Sequence, residues 1–264
     1  MSPKKWTVKQ AVSDALEKVR TIRADRPTGA ILIAVGGLTA AGKSFLSRQF
    51  QSALRTLGEK AWILEGDRFI LPKARRPPSE RYPEEVYELD RLRRALAALT
   101  AGEAFLAPFY HKMGTATDRV SVPVRDAKNV PSTLGHRGDY RVKDASPLLA
   151  EHRQRLACAD SRLWVDADTK DLLEEVPPNG DVWIFDSELA LAFPDFRAYY
   201  DRSYAVWASR VRRRRNFLNA VLKGERYPVL SEEEAREKVE GFFLEDDRFN
   251  QRHLRHAQVC IDNT

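Results

Sequence analysis

Cysteine is scarce: Cys158 and Cys260 are the two in 264 residues, far apart and without a C-x-x-C spacing, so neither a disulfide framework nor a thiolate zinc site is expected. Long apolar runs are missing as well. No stretch reaches the roughly 18 apolar residues of a membrane span, and Met1 to Gly29 has no apolar leader core but reads as a charged helix. A protein of the reducing cytoplasm, without membrane contact, is the expectation. A dense block of positive charge with interleaved aromatics is absent too. The 44 Lys and Arg against 38 Asp and Glu give net +6, but that charge is scattered, which suits polyanionic small ligands and argues against nucleic acid as a partner. No internal repeat is evident, and homo-oligomerisation is left open.

At 43 % hydrophobic residues the chain can bury a substantial core, and one domain over 1–264 is expected. Trp6 to Arg23 repeats apolar residues at helical spacing, so 1–29 reads as an N-terminal helix with its turn. Apolar strand-like runs follow at Ala30–Val35, Lys60–Gly66, Asp181–Asp186, Ser203–Ala208 and Ala257–Ile261, with Arg162–Asp166 a weaker candidate. Helical patterns lie after Ser44, over Glu84–Ala101 and after Arg210. Ser231 and Glu234 form a capping box for a helix to Leu244. This alternation predicts an α/β fold with a doubly wound, mainly parallel sheet flanked by helices. The segment 111–180 is rich in Gly, Pro, Arg and Asp and weakly periodic, so it reads as an insertion or ligand-binding segment.

Residues Gly37, Leu38, Thr39, Ala40, Ala41, Gly42, Lys43 and Ser44 fit G-x-x-x-x-G-K-[ST] without a mismatch, between a β-rich run and a helical pattern that opens on Phe45. This is a phosphate-binding P-loop signature. A loop poor in side chains lets consecutive backbone N–H groups turn inward around a polyphosphate, while Lys43 reaches its β/γ end and Ser44 ligates Mg²⁺. The fold class expected is therefore that of P-loop NTPases.

Asp67 follows the next predicted strand, which places it on the carboxyl edge where the P-loop lies. A carboxylate there can accept the proton of an acceptor hydroxyl during phosphoryl transfer. Asp186 ends the VWIF run in the manner of an acid that holds Mg²⁺, with Glu188 and Asp166 in reserve. The run Arg210 to Arg215 opens a helix that can close over phosphates. Helical spacing lets one or two of its arginines face a ligand, and Arg210 and Arg214 are the expected pair.

The order of these features resembles the uridine kinase and phosphoribulokinase family of P-loop kinases: GLTAAGKS, then Asp67-Arg68-Phe69, then Pro108-Phe109-Tyr110, then Arg210 to Arg214. The resemblance implies that Asp67 is the base, that Asp67, Arg68, Tyr110 and His111 line the acceptor site, and that the arginines form a lid helix. Asp186-Ser187 and Arg215-Asn216 depart from the family's usual acid-Gly and Arg-Asp pairs. The expected activity is an ATP- and Mg²⁺-dependent transfer of phosphate to a hydroxyl of a small polar metabolite such as a nucleoside, sugar or sugar phosphate. A regulatory nucleotide switch and a toxin- or resistance-type phosphotransferase are the alternatives. The lack of an NKxD-like guanine motif argues against a GTPase.

Overall fold

The computed structural model describes residues 5–77, 83–111, 118–122, 125, 127–129, 140–143, 146–153, 156–158, 160–177, 180–223, 231–237 and 251–263. In chain order these hold β1 (Lys5–Trp6), α1 (Val8–Asp25), β2 (Ile31–Gly37), α2 (Lys43–Thr56), β3 (Ala61–Glu65), α3 (Leu89–Ala101), β4 (Phe105–Pro108), β5 (Tyr110–His111), β6 (Asp118–Arg119), β7 (Ala127–Asn129), β8 (Tyr140–Val142), α4 (Pro147–His152), β9 (Arg162–Val165), β10 (Leu172–Val176), β11 (Val182–Asp186), α5 (Pro194–Arg197), β12 (Arg202–Trp207), α6 (Arg210–Leu222) and β13 (Val259–Asp262).

The main sheet has six strands in the order β1-β13-β12-β2-β11-β3, and every neighbouring pair is parallel. This is the doubly wound, P-loop NTPase-type α/β arrangement expected from the alternation of elements. Side-chain alternation sorts its strands between two layers. Ile31, Ile33 and Val35 of β2, with Val182 and Ile184 of β11, pack on α1 and α2 through Ala15, Val19, Leu46, Phe50 and Leu54. The intervening Leu32, Ala34, Trp183 and Phe185 pack on α3 through Leu92, Leu96 and Leu99. Burial on both faces explains why these strands read as continuous apolar runs.

Two expectations are corrected. The N-terminal helix starts later than Trp6: Lys5 and Trp6 pair with Cys260 and Ile261 as an edge strand, and Thr7 with Gln10 makes the capping box that opens α1. The helical pattern over Glu84–Ala101 is split into a short 3₁₀ turn, Pro83–Val86, and α3, which begins at Leu89. Of the C-terminal helix, 232–237 is helical behind the Ser231–Glu234 box, while the expected continuation to Leu244 lies outside the described residues.

The weakly patterned segment contributes most of a second sheet, antiparallel and ordered β4-β10-β9-β8-β7. Phe105 and Ala107 of β4 reach the α3 layer, while Phe109, Leu163, Val165 and Leu172 build a separate core. A hairpin of β5 and β6 stands beside it, pairing Tyr110 with Arg119.

Candidate functional site

Every strand of the main sheet runs the same way, so β2, β3, β11, β12 and β13 deliver their carboxyl ends to one edge, where ligands bind in open α/β sheets. β2 ends in the P-loop. Gly37 has φ 151, and a Cβ there would stand 2.5 Å from the Val206 carbonyl oxygen, so the loop passes tightly over β12. Ala40 at φ 57 and Gly42 at φ 107 supply the left-handed turns of an anion-binding nest at the start of α2. Ala41 N–H closes the turn on the Leu38 carbonyl at 3.1 Å. Lys43 Nζ donates to the carbonyls of Gly37 and Leu38, at 3.1 and 3.2 Å, so its ammonium sits over the mouth of the loop. Leu38, Thr39 and Ala41 are buried, whereas Ser44 and Phe45 are exposed on the first turn of α2.

Asp186 is buried and has the same parity in β11 as Val182 and Ile184, so its carboxylate is on the α2 side, beside Val35, where β2 gives way to the P-loop. Glu65 is its register partner on β3, on the same face. Asp67 follows in the 3₁₀ turn Gly66–Phe69. That turn lies close against the end of β11, since a Cβ on Gly66 would stand 2.3 Å from Ser187 Oγ.

A chain of polar contacts joins the two loops. Thr39 Oγ1 of the P-loop donates to Glu188 Oε2 at 3.4 Å; Tyr87 hydroxyl lies 3.1 Å from Glu188 Oε1 and 3.5 Å from Asp67 Oδ1. Tyr87 is 5 % exposed, so this phenol is anchored in the core and presents its oxygen to two carboxylates. The candidate base is thereby connected to the nucleotide loop through two side chains.

Arg68, expected in the acceptor site, is found buried. Its Nε donates to the Pro108 carbonyl at 2.6 Å, and its guanidinium lies over the Phe109 ring at 4.6 Å. Nη1 approaches Glu174 Oε2 to 2.6 Å, a charge contact outside hydrogen-bonding alignment. It therefore ties the Asp67 turn to the antiparallel sheet. A second network does the same from the other side. Arg119 donates through Nε to the Ile70 carbonyl at 2.7 Å and lies 3.0 Å from Glu88 and 3.2 Å from Asp171, and Arg75 bridges the same two acids. Burial is the largest influence on both members of the Arg119–Asp171 pair, pulling the guanidinium down and pushing the carboxyl up, against their mutual attraction.

Tyr110 is half-buried and accepts a hydrogen bond from Arg76 Nη2 at 3.2 Å. His111 pairs through its backbone with Asp118, and its side chain lies outside the described residues.

On α6 the expected arginines, Arg210 and Arg214, flank a third, Arg213, that meets the P-loop backbone. Ser209 caps the helix, accepting from Arg212 N–H, and Arg210 is exposed. Arg214 is half-buried, while Arg213, at 1 % exposure, reaches the P-loop and donates to the Thr39 carbonyl at 3.5 Å. Asn216, one turn on, donates to the Ala40 carbonyl at 3.1 Å. Phe217 and Val221 complete that face against Ala40. A run of neighbouring arginines gives no sequence signal for which one is buried; the contact of α6 with Thr39 and Ala40 selects Arg213, with Asn216 and Phe217 on the same face. Tyr87 and Asn263 had no motif to announce them.

No protein-family model matches the chain, and no curated protein sequence matches it. Solved structures do. A protein provisionally named a fructose transport system kinase, from Silicibacter sp., is 18 % identical, with 94 % of this chain and 98 % of that chain covered and a TM-score of 0.60. D-glycerate 3-kinase from Cryptococcus neoformans is 13 % identical, with 94 % and 89 % covered and a TM-score of 0.52. A Saccharomyces cerevisiae protein provisionally described as a P-loop kinase with a circular permutation is 10 % identical, with 98 % and 100 % covered and a TM-score of 0.51. The chain thus has the fold of P-loop kinase structures, in line with the resemblance read from its motifs.

Proposed function

We propose that this protein is a kinase that transfers the γ-phosphate of ATP to a hydroxyl of a small polar metabolite, within a single catalytic unit spanning 1–264. The observation that carries the reading is the Asp67 carboxylate, held on the P-loop edge and joined to Thr39 through Tyr87 and Glu188. A switch that merely hydrolyses nucleotide needs no such carboxylate at an acceptor side; a kinase does.

The residues present suit the nucleotide and its metal. The nest from Gly37 to Gly42 and the start of α2 would hold the phosphates, Lys43 would move from its loop carbonyls to the β/γ oxygens, and Ser44 with Asp186 would hold Mg²⁺. Mg²⁺ when bound supplies neutralisation of the charge on the transferring phosphoryl group. Asp67 accepts the proton of the acceptor hydroxyl as its oxygen bonds to the γ-phosphorus and the bond to the departing ADP oxygen breaks. Tyr110, held by Arg76, lines the acceptor side, and the family resemblance assigns His111, and the weakly patterned sequence the segment 111–180, to acceptor binding. Arg68 acts behind the site, fixing the Asp67 turn on Glu174 and Pro108. Arg210 and Arg214 are the arginines of α6 placed to meet phosphate, because Arg213 is committed to the P-loop backbone.

The test is ADP release from Mg-ATP with a panel of nucleosides, sugars, sugar phosphates and hydroxy acids. Release should depend on one acceptor class. Lys43→Ala should abolish it, and Asp67→Asn should lower turnover about 10² to 10⁴-fold while nucleotide still binds. Turnover of Asp67→Asn close to wild type would overturn the assignment of the base, and hydrolysis indifferent to every acceptor would overturn the kinase reading.

A further inference from the structure

Three consecutive P-loop carbonyls each accept a side-chain hydrogen bond from outside the loop. Thr39 takes Arg213 at 3.5 Å, Ala40 takes Asn216 at 3.1 Å and Ala41 takes Asn263 at 2.8 Å. The donors come from two elements far apart in sequence, α6 and the residue that follows β13, and both adjoin β12 in the fold. Asn263 is itself fixed, its backbone N–H donating to the Trp207 carbonyl at 2.9 Å, and it comes so near the loop that a Cβ on Gly42 would stand 2.4 Å from its Nδ2. Arg213 is likewise immobilised, buried beside the core of Phe217 and Val221.

Across a trans peptide the carbonyl and the following N–H point in opposite directions. Pulling the carbonyls of residues 39 to 41 toward α6 and β13 therefore turns the N–H groups of Ala40, Ala41 and Gly42 to the other side, where Ala41 closes the turn on Leu38. Backbone dipoles oriented before a ligand arrives cost no reorganisation when it binds. We propose that Arg213, Asn216 and Asn263 are positioning residues that strap the P-loop from behind, hold the Ala41 turn on Leu38 and set the N–H groups of Ala40 and Gly42 to receive a polyphosphate. The strap also makes the seating of α6 and the binding of phosphate one linked equilibrium, so each strengthens the other by the same factor. This inference rests on the phosphate-binding part of the proposed function and is independent of the acceptor.

The experiment is calorimetric titration of the full chain with inorganic pyrophosphate and with Mg-ADP, for wild type, Asn216→Ala, Asn263→Leu and the double variant. Hydrogen exchange of the α6 amides is followed with and without pyrophosphate. Asn216→Ala raises helix propensity, so it leaves α6 at least as stable in itself, and Asn263→Leu keeps side-chain volume without the donor. Each single variant should bind both ligands about 3- to 10-fold more weakly, with the unliganded melting temperature little changed. Pyrophosphate should slow exchange in α6 of the wild type, and less so in Asn216→Ala. Wild-type affinity in both variants, with wild type binding normally, overturns the strap alone. A wild type that binds neither ligand overturns the nucleotide site and the strap with it.

Discussion

Strands β10 and β11 are each five residues long and buried throughout, yet one reads LLEEV and the other VWIFD. β11 lies between β2 and β3, and four of its five side chains meet apolar layers above and below. β10 lies between β4 and β9 and carries two glutamates inward, one on each face. Glu174, at 0 % exposure, is met by Arg68 and by the N–H groups of Ala157 and Cys158 at 2.8 and 3.2 Å, and Glu175 accepts from Trp164 Nε1 at 2.5 Å. The parallel sheet is held by area removed from water, which is indifferent to partner identity. The antiparallel sheet depends at these positions on particular partners, since a buried charge without one is costly. One of those partners, Arg68, lies in the Asp67 turn itself, so the second sheet is the part of the fold that braces the candidate base.

The largest effect should come from separating Glu174 from Arg68. Glu174→Ala leaves a buried guanidinium and two buried N–H groups without their carboxylate, and should cost about 3–5 kcal/mol in urea unfolding. An Arg68→Met/Glu174→Gln pair should recover part of that loss, because neither charge remains while the amide still accepts from Ala157 and Cys158. If the single variant is as stable as wild type, the contrast between the sheets is false. If the double variant regains stability but not turnover, Arg68 serves the site rather than the fold.

The same contrast sets what was legible in the sequence. Strands β2, β11 and β12 were readable because burial on both faces writes an apolar run, β3 and β13 because their half-buried runs are still mostly apolar, and the P-loop because glycines at φ 151 and φ 107 punctuate it. β10 was invisible: Glu174-Glu175 looks like solvated surface until Arg68 and Trp164 are brought in from elsewhere in the chain. Pairings of this kind depend on tertiary contact and leave no local period. In the site, the place of Lys43 at the start of α2 followed from the P-loop motif, and those of Asp67 and Asp186 from position at strand ends. The choice of Arg213 over its neighbours did not, because it is made by the contact of α6 with Thr39 and Ala40.

A middle-sized effect should follow from Tyr87→Phe. The phenol is the link between Glu188 on the parallel sheet's edge and Asp67 on the turn braced by the second sheet. Its removal deletes one donor from the vicinity of two carboxylates and keeps the ring in the core, so stability should fall by about 1 kcal/mol. The phenol also fixes the Asp67 carboxylate, so its loss should lower kcat about 3- to 10-fold at neutral pH while nucleotide binding is kept. A change in stability with an unchanged kcat would reduce Tyr87 to packing.

The smallest effect should lie at the solvent-facing rim of the second sheet, in the turn between β9 and β10. Asp166 Oδ1 accepts from Asp168 N–H at 2.9 Å and Thr169 N–H at 2.8 Å, and Lys170 follows at φ 61. Burial pushes the Asp166 carboxyl up, but the bonds from Thr169 and Asp168 outweigh it and leave the carboxyl below its ordinary value of 3.8. A carboxylate depressed in the folded state adds stability at pH values above its unfolded pKa and loses it as pH falls through the folded one. Asp166→Asn keeps an acceptor oxygen but not the charge, and the turn is open to solvent, so the cost at pH 7 should be about 0.5 kcal/mol. The difference between variant and wild type should shrink as pH drops below about 4. Urea titrations at pH 7 and in steps below pH 5 would show it. A constant difference at every pH would mean that the amide distorts the turn, and that polar groups at the rim of this sheet are as demanding of their partners as those at its centre.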